Sequence, residues 1–228
     1  MIKIEETNVI GWEAAIRGMR NPMNSWDKSD SEVIQEWPED QKVLKIGPND
    51  LSLMIKLYNA GTDHRKFMRM ITVYVDITAP LYWWKEFDTY KVGTVANSCS
   101  TMHKIHAKEF TLKDFSTERL YTPMAEAAFD GIIDALNNAR ENFLECTISK
   151  YATSVECAEA KKHYWDEMIQ LLPSSYNQRR TVMLNYEVLA NIYKSRKNHK
   201  LDEWHTFCDW IESLPYFKAI CLGGDKNE

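Results

Sequence analysis

The chain has 228 residues, of which 44% are hydrophobic, and a formal net charge of -5 from 28 basic and 33 acidic residues. This length and composition support one sizeable core, and the scattered glycines and prolines mark no linker, so we expect a single domain over residues 1–228. The acidic balance excludes the broad cationic surface of a duplex nucleic-acid-binding protein, although a single anionic ligand stays compatible with it.

The sequence carries no pattern of export or of membrane insertion. No stretch reaches the roughly 18 consecutive apolar residues of a membrane span. The start "MIKIEETNVI" lacks a basic segment followed by a long apolar run. Five cysteines without a CxxC pair fit reduced thiols better than a disulfide framework or a structural zinc site. We therefore expect a cytoplasmic protein with no membrane contact.

The first predicted elements are a strand and two helices. "IKIEE" predicts a short strand, and "GWEAAIRGMR" predicts a helix with its Ala-Ala-Ile run toward the core. A polar connection follows. "PNDLSLMIKLYNAG" then predicts a helix that Asn49 or Asp50 caps and that Gly61 ends in a left-handed conformation.

The middle of the chain combines a strand, an aromatic helix and a small-residue loop. "MITVYVDIT" alternates apolar with more polar residues at a period of two, which predicts a strand. Pro80 is expected at the first helical position of the following helix, which carries Trp83, Trp84 and Phe87. The loop "TVANSCSTMH" comes next, and its small polar residues allow a ligand to approach the backbone closely.

The C-terminal half is mainly helical. Helical spacing predicts long helices over residues 122–146 and 154–171, and "RRTVML" predicts a strand. Asn185 is expected to cap the helix "YEVLANIYKSR", and "LDEWHTFCDWIESL" predicts a further helix. The predicted apolar stripe of the first long helix consists of Met124, Ala128, Ile132, Leu136, Ala139 and Phe143. The fold class is therefore α/β (α+β), helix-rich with a small antiparallel or mixed sheet.

Two kinds of chemistry have weak candidates. His103 with His106, and His205 with Cys208, have a metal-ligand spacing, but neither pair has nearby third and fourth ligands, so we expect no metal site. Cys99 close to His103 fits a thiolate and its base, but no third orienting group is identifiable. The aromatic run and nearby cations fit either core packing or a slot for a planar anionic ligand.

Three longer segments together resemble one enzyme family. In "HRKFMRMITVYVDITAP", a histidine precedes a strand and an Ala-Pro; "LYWWKEFDTYKVGTVANSCSTMHKIHAKEF" continues with a helix and a loop. In "LLPSSYNQRRTVMLNYEVLANIYKSR", Asn185 comes twelve residues after Pro173, and Arg196 eleven after Asn185. This pattern is similar to that of the flavin-dependent thymidylate synthases, and "GWEAAIRGMR" resembles their N-terminal helix.

The resemblance implies a homotetrameric fold that binds FAD and a pyrimidine nucleotide such as dUMP. NADPH would reduce the flavin, and methylenetetrahydrofolate would donate the carbon unit. The resemblance assigns His64, Asn185 and Asn97 to the flavin. It assigns Ser100 and Lys91 to catalysis, and the residues that contact the nucleotide are Glu86, Ser98, Ser100, Arg179 and Arg196.

The chain departs from the family at charged positions. Thr89-Tyr90-Lys91 replaces an Arg-His-Arg triplet, and Ser98, Met102 and His103 replace a Glu, an Arg and a Tyr of the signature loop. Each lost charge-assisted hydrogen bond costs about 1.5–3 kcal/mol of binding. Two alternatives therefore stay open: an enzyme that acts on a different pyrimidine nucleotide, and a catalytically inactive flavin- or nucleotide-binding protein.

Overall fold

A computed structural model of the chain describes residues 2–36, 41–148 and 155–223. In chain order its strands and helices are β1 (Lys3–Ile10), α1 (Trp12–Arg20), β2 (Glu32–Glu36), β3 (Gln41–Lys45), α2 (Pro48–Asn59), β4 (Thr72–Pro80), α3 (Leu81–Phe87), β5 (Val95–Ser98), α4 (Pro123–Ile148), α5 (Val155–Leu171), β6 (Asn177–Asn185), α6 (Tyr186–Arg196), α7 (Asp202–Ser213) and α8 (Phe217–Cys221). Short 3-10 turns connect several of these elements, the longest of them at Arg65–Met70.

Four strands form the principal sheet in the order β1-β4-β6-β5. In β4 the odd-numbered Val73, Val75 and Ile77 are buried, as the period-two pattern predicted. A separate hairpin pairs β2 with β3 in antiparallel register, with Glu32 opposite Lys45. The sequence pattern predicts only a polar connection here, because both strands are five residues long and each carries two charged side chains.

The predicted helices are present, with corrections at two starts. Gly61 has the predicted left-handed φ of 102°. The prediction that Asn49 or Asp50 caps α2 is wrong, because Gly47 is the N-cap residue and both backbone amides donate to the carboxylate of Asp30, at 2.8 and 3.0 Å. Pro80 is the N-cap residue of α3 rather than its first helical residue, since its ψ of 150° is extended.

Part of the predicted small-residue loop is a strand. Val95–Ser98 forms β5, whose residues are all exposed. The alternation that marks a half-buried strand is absent here, because β5 is an edge strand without a buried face.

The apolar stripe of α4 was only partly predicted. Leu136, Ala139 and Phe143 are buried as expected, whereas Met124 is 82% exposed and Ala128 is also exposed. The buried side of the early turns is occupied by Phe129 instead. The predicted stripe is therefore wrong in the first turns of α4, where Met124 and Ala128 have helical spacing but face solvent.

The chain divides into two compact units, each built from separated segments. The first contains residues 1–3, 77–89 and 97–180, and the second contains residues 4–76, 90–96 and 181–228. The expectation of one domain over the whole chain stays a prediction.

In the first unit, α4 packs against α5. The core of this pair of helices and the preceding turns is formed by Ile105, Phe110, Phe115, Phe129, Leu136, Ala139, Phe143 and Met168. Trp83, Trp84 and Phe87 of α3 are buried as a group of ring contacts with centroids about 5 Å apart. These three side chains of the aromatic run therefore pack in the core of the first unit.

In the second unit, large rings join the helices. Trp12 of α1 meets Tyr186 of α6 edge to face at 5.1 Å, and Tyr186 in turn meets Phe217 of α8 at 5.8 Å. The Tyr186 hydroxyl donates to the carbonyl of Pro215 at 2.7 Å, so this ring buries no unsatisfied polar group. These contacts hold α6 in a fixed position. Across the described ranges, no helix is both long and apolar enough to span a membrane.

Candidate functional site

The segment Tyr90–Ala96 lies against the start of α6. Gly93 has a φ of 76°, and a β-carbon at this position would come within 2.9 Å of Asn185 Nδ2 and 3.1 Å of Val188 Cγ2. Both features require glycine here, because an L-residue would be strained at this φ and would meet the two side chains. The sequence therefore folds this segment tightly onto the predicted flavin residue.

Asn185 caps α6, as the sequence predicted. Its Oδ1 accepts a hydrogen bond from the backbone N–H of Val188 at 3.1 Å, in the geometry of an N-cap residue. This bond occupies one lone pair of Oδ1, and the Nδ2 donors lie beside Gly93. The same side chain can therefore serve the helix and a ligand.

Arg196 lies at the other end of α6, as its last residue. Its Nε donates to the Tyr90 hydroxyl at 2.9 Å, and the guanidinium lies 4.7 Å from the centre of the Trp204 ring. These contacts fix the plane of the guanidinium. Tyr90 thus contacts the predicted phosphate-binding arginine.

The remaining predicted residues of the second unit are exposed. Lys91 has no partner within the described chain, and His64 precedes the Arg65–Met70 turn, with its backbone N–H donating to Gly61. Near Lys91, the Thr94 hydroxyl is buried without a hydrogen-bond partner among the described residues. A buried hydroxyl without a partner costs free energy, so it marks a position where a ligand group can bind.

In the first unit, backbone pairing to β6 continues past β5. The Cys99 N–H donates to the carbonyl of Arg179 at 2.9 Å, and Gln178 Nε2 donates to the Cys99 carbonyl at 2.7 Å. Asn97 and Ser98 are exposed on β5. The signature loop therefore begins as an ordered edge strand that leaves these two side chains accessible.

Ser100 forms a local turn directly after this strand. Its Oγ accepts hydrogen bonds from the backbone N–H groups of Met102 and His103, at 3.2 and 3.0 Å. The side chain is exposed. Since the hydroxyl oxygen acts as acceptor in both bonds, its hydrogen is available for donation.

The two arginines of β6 have different surroundings. Arg179 is exposed. Arg180 forms an ion pair with Asp88 at 2.7 Å and stacks over the Trp84 ring at 4.2 Å, so its charge is already compensated. Glu86 is half-buried on α3. The two neighbouring arginines of this strand therefore differ in their exposure.

An ion-pair cluster at α6 was missed in the sequence. Glu187 accepts hydrogen bonds from Arg65 Nε at 3.0 Å and from Arg69 Nε, and its side chain is only 9% exposed. Burial raises the pKa of Glu187, but the bonds from Arg69 and Arg65 outweigh it and lower the pKa. The basic run "HRKFMR" is the sequence feature that could have indicated an ion-pair cluster. Its partner Glu187 lies 122 residues from Arg65 and 118 from Arg69, so local spacing does not connect them.

His106 and Cys208, one from each pair with metal-ligand spacing, have pKa values that burial shifts. Groups of three or more His, Cys, Asp or Glu side chains able to hold a metal are absent from the described residues. Burial, followed by repulsion from nearby cations, lowers the pKa of His106, whose ring lies 4.4 Å from that of Phe143. Burial raises the pKa of the Cys208 thiol to about 11.

Comparisons with known proteins place the fold. No protein-family profile and no curated protein sequence matches this chain. Solved structures do match. One is thymidylate synthase X (ThyX) from Helicobacter pylori with FAD and dUMP, at a TM-score of 0.60 and 15% identity, over 96% of both chains. Another structure of the flavin-dependent enzyme from the same organism, complexed with FAD and dUMP, matches at a TM-score of 0.59 and 15% identity, over 95% of this chain and 99% of that one. The chain therefore has the fold of flavin-dependent thymidylate synthase, as the sequence resemblance predicted.

Proposed function

We propose that this protein is a diverged flavin-dependent enzyme that transfers a one-carbon unit from methylenetetrahydrofolate to C5 of a pyrimidine nucleotide, dUMP or a close relative. The observation that carries the proposal is the fold likeness, which spans nearly the whole length of a protein solved with FAD and dUMP. Since a fold alone supports many functions, the proposal also needs residues that suit these ligands.

The side chains near Gly93 suit a flavin. The buried Thr94 hydroxyl has no partner in the described chain, and the Asn185 amide nitrogen lies beside Gly93. A flavin ring carries both carbonyl and N–H groups, which hydroxyl and amide side chains can pair with. We assign His64, Asn185 and Asn97 to FAD, as the sequence resemblance implies.

Bound FAD would supply the one-carbon transfer and the hydride, after reduction by NADPH. The chain contributes binding, orientation and electrostatics. Ser100 suits a role at the base, because its oxygen is held by two backbone N–H groups and its hydrogen can be donated to a carbonyl of the ring. Lys91 supplies an exposed ammonium that stabilises negative charge as it develops.

Substrate binding needs cations for the phosphate and polar groups for the base. We assign Arg179 and Arg196 to the phosphate, because arginine forms paired hydrogen bonds to phosphate oxygens. Glu86 and Ser98 are assigned to the base, where a carboxylate accepts from an N–H group and a hydroxyl pairs with either edge. As in the family that the sequence resembles, we expect a homotetramer.

A second candidate is a related activity on a different pyrimidine nucleotide. The Tyr90 hydroxyl is engaged by Arg196, at a triplet where the family has Arg-His-Arg. A site with fewer cations than the sites of that family favours a nucleotide whose contacts near Tyr90 and Arg196 differ from those of dUMP. A binding-only flavin or nucleotide protein is the third possibility.

Complementation of a thymidine auxotroph separates these candidates. Growth without thymidine is expected if the protein makes thymidylate. A yellow purified protein that fails to complement favours the second or third candidate, and turnover of other pyrimidine monophosphates then distinguishes them. A colourless protein whose melting temperature does not change with added FAD would overturn the flavin-dependent proposal.

A further inference from the structure

A cavity of about 360 Å³ lies in the second unit, and the proposed reaction does not use it. One wall is a single face of α1, formed by Glu13, Ile16, Arg17 and Arg20 at spacings of three and four residues. The other wall contains Trp26 and the cross-strand pair of Val33 and Leu44 from the β2–β3 hairpin. Ser29 and Ser31 complete the lining.

The indole of Trp26 forms an exposed but oriented surface. It is 51% exposed, and its Nε1 donates to Asn21 Oδ1 at 2.8 Å. A large exposed ring whose plane is fixed by a hydrogen bond suits the stacking of another flat ring. Ile16, Val33 and Leu44 add an apolar surface beside it.

Two arginines one helical turn apart on α1 line this cavity. Arg17 is exposed and has no partner within the described part of the chain. Arg20 is only 4% exposed, with Nε bound to Asp50 at 2.6 Å and Nη1 bound to the Ser25 carbonyl at 3.1 Å. Its Nη2 has no hydrogen-bond acceptor among the described residues.

The charges in the cavity favour a ligand with a single negative charge. Asp50 forms an ion pair with Arg20. The Asp50 carboxylate also accepts hydrogen bonds from Ser29, Ser31 and the Asp30 backbone, and these donors stabilise its negative charge. Glu13 lies on the same face of α1, one turn before Arg17, where it disfavours a dianion. A monocarboxylate can accept hydrogen bonds from Arg17 and Arg20, and its single charge is repelled less by Glu13 than the two charges of a dianion are.

We propose that this cavity binds a flat aromatic monocarboxylate, with the ring against Trp26 and the carboxylate on Arg17 and Arg20. The volume accommodates a small aromatic acid, and apolar walls with a few placed polar groups are typical of small-molecule sites. The site is independent of the proposed flavin and nucleotide residues, since none of its lining residues is among them.

The test is calorimetric titration of the full chain with 2-naphthoate. Three matched probes complete the set: the uncharged 2-naphthamide, the dianionic 2-naphthyl phosphate, and cyclohexanecarboxylate, which lacks the flat ring. Saturable binding of one naphthoate per chain is expected, with each of the other probes at least about tenfold weaker. Equal binding of the amide, or tighter binding of the phosphate, would overturn the proposal.

Variants locate the binding. Arg17→Ala and Trp26→Leu are each expected to weaken naphthoate binding about tenfold or more. Arg119→Ala, at another exposed arginine, should leave it unchanged. Arg196→Ala should impair nucleotide binding alone, so failure of this site and failure of the proposed function are distinguishable. Binding that survives both Arg17→Ala and Trp26→Leu in folded protein would contradict the assignment.

Discussion

Arg196 is held in place by Tyr90, whose hydroxyl accepts a 2.9 Å hydrogen bond from Nε, and by the Trp204 ring at 4.7 Å. Tyr90 therefore acts as a positioning residue for a cation that we assign to phosphate. The Tyr90 side chain is neutral and contributes a hydroxyl acceptor and a ring to this contact.

Replacing Tyr90 with Phe tests this positioning role. The ring stays but the acceptor is lost, so we expect dUMP binding to weaken by about 0.5–1.5 kcal/mol. Arg196→Lys should weaken it further, because lysine cannot form the paired, planar contact. Titration calorimetry measures both, and Tyr74→Phe, at a 42% exposed tyrosine, is the control. Unchanged affinity in both variants would remove Arg196 from the site.

Gly93→Ala tests the close packing of the Tyr90–Ala96 segment on α6. The positive φ and the 2.9 Å approach to Asn185 Nδ2 predict a loss of about 1–3 kcal/mol of unfolding free energy. Gly131→Ala in α4 is the matched control, because among the described residues no atom beyond its own helical turns lies within 4 Å of an added β-carbon. There the same change should stabilise by about 0.5–1 kcal/mol. Chemical denaturation gives both values, and effects of the same sign would contradict the description of Gly93.

Asn185 has two separable roles. Asn185→Ala should cost about 1 kcal/mol of unfolding free energy through the lost cap on Val188 N–H. Asn185→Asp keeps an accepting oxygen and adds a favourable charge at the helix N-terminus, so its stability should be retained. If the amide nitrogen contacts flavin, both variants lose FAD affinity. An Asp variant that binds FAD like the unaltered chain would leave Asn185 with the capping role alone.

Asp50 predicts an acid-dependent loss of stability. Burial raises its pKa, but hydrogen bonds from Ser31, Ser29 and Arg20 outweigh burial and hold the pKa below 3.8. A carboxyl whose folded pKa is depressed stabilises the fold above its unfolded pKa, and this contribution is lost as the pH falls through the folded pKa. The unfolding free energy should therefore fall as the pH drops below about 4.

The variant Asp50→Asn isolates this contribution. It should cost about 3–5 kcal/mol at neutral pH, because the buried Arg20 loses its counter-ion. The remaining dependence of unfolding free energy on pH below about 4 should become shallower. Asp130→Asn, at an exposed position of α4, is the control. An unaltered pH slope in the Asp50 variant would show that other carboxyls carry the acid sensitivity.

Local patterns predicted the elements of the chain well. The alternation in β4, the Asn185 cap and the left-handed Gly61 depend on neighbouring residues, and each is present in the structure. Positions set by distant partners were not predictable. The Asp30 carboxylate accepts hydrogen bonds from the backbone N–H groups of Asn49 and Asp50 at the start of α2, about twenty residues further along the chain. The hairpin of β2 and β3 has too little apolar content to be recognised.

In the candidate site too, contacts between residues distant in sequence were not predictable. Its residues came from a family resemblance, and the sequence could not show that Arg180 is compensated by Asp88 or that Arg65 and Arg69 pair with Glu187. These pairs join residues 92 to 122 positions apart, which sequence spacing cannot connect. The roles of Lys91, Ser100 and the other assigned residues stay predictions.

The central claim is that this fold has kept a flavin and a pyrimidine nucleotide. The most direct test is an absorbance titration of the purified chain with FAD, repeated in the presence of dUMP and of other pyrimidine monophosphates. We predict saturable binding of one FAD per chain, a shift of the flavin spectrum by at least one nucleotide, and weaker FAD binding in Asn185→Ala. A chain that binds no FAD under any of these conditions would contradict the account.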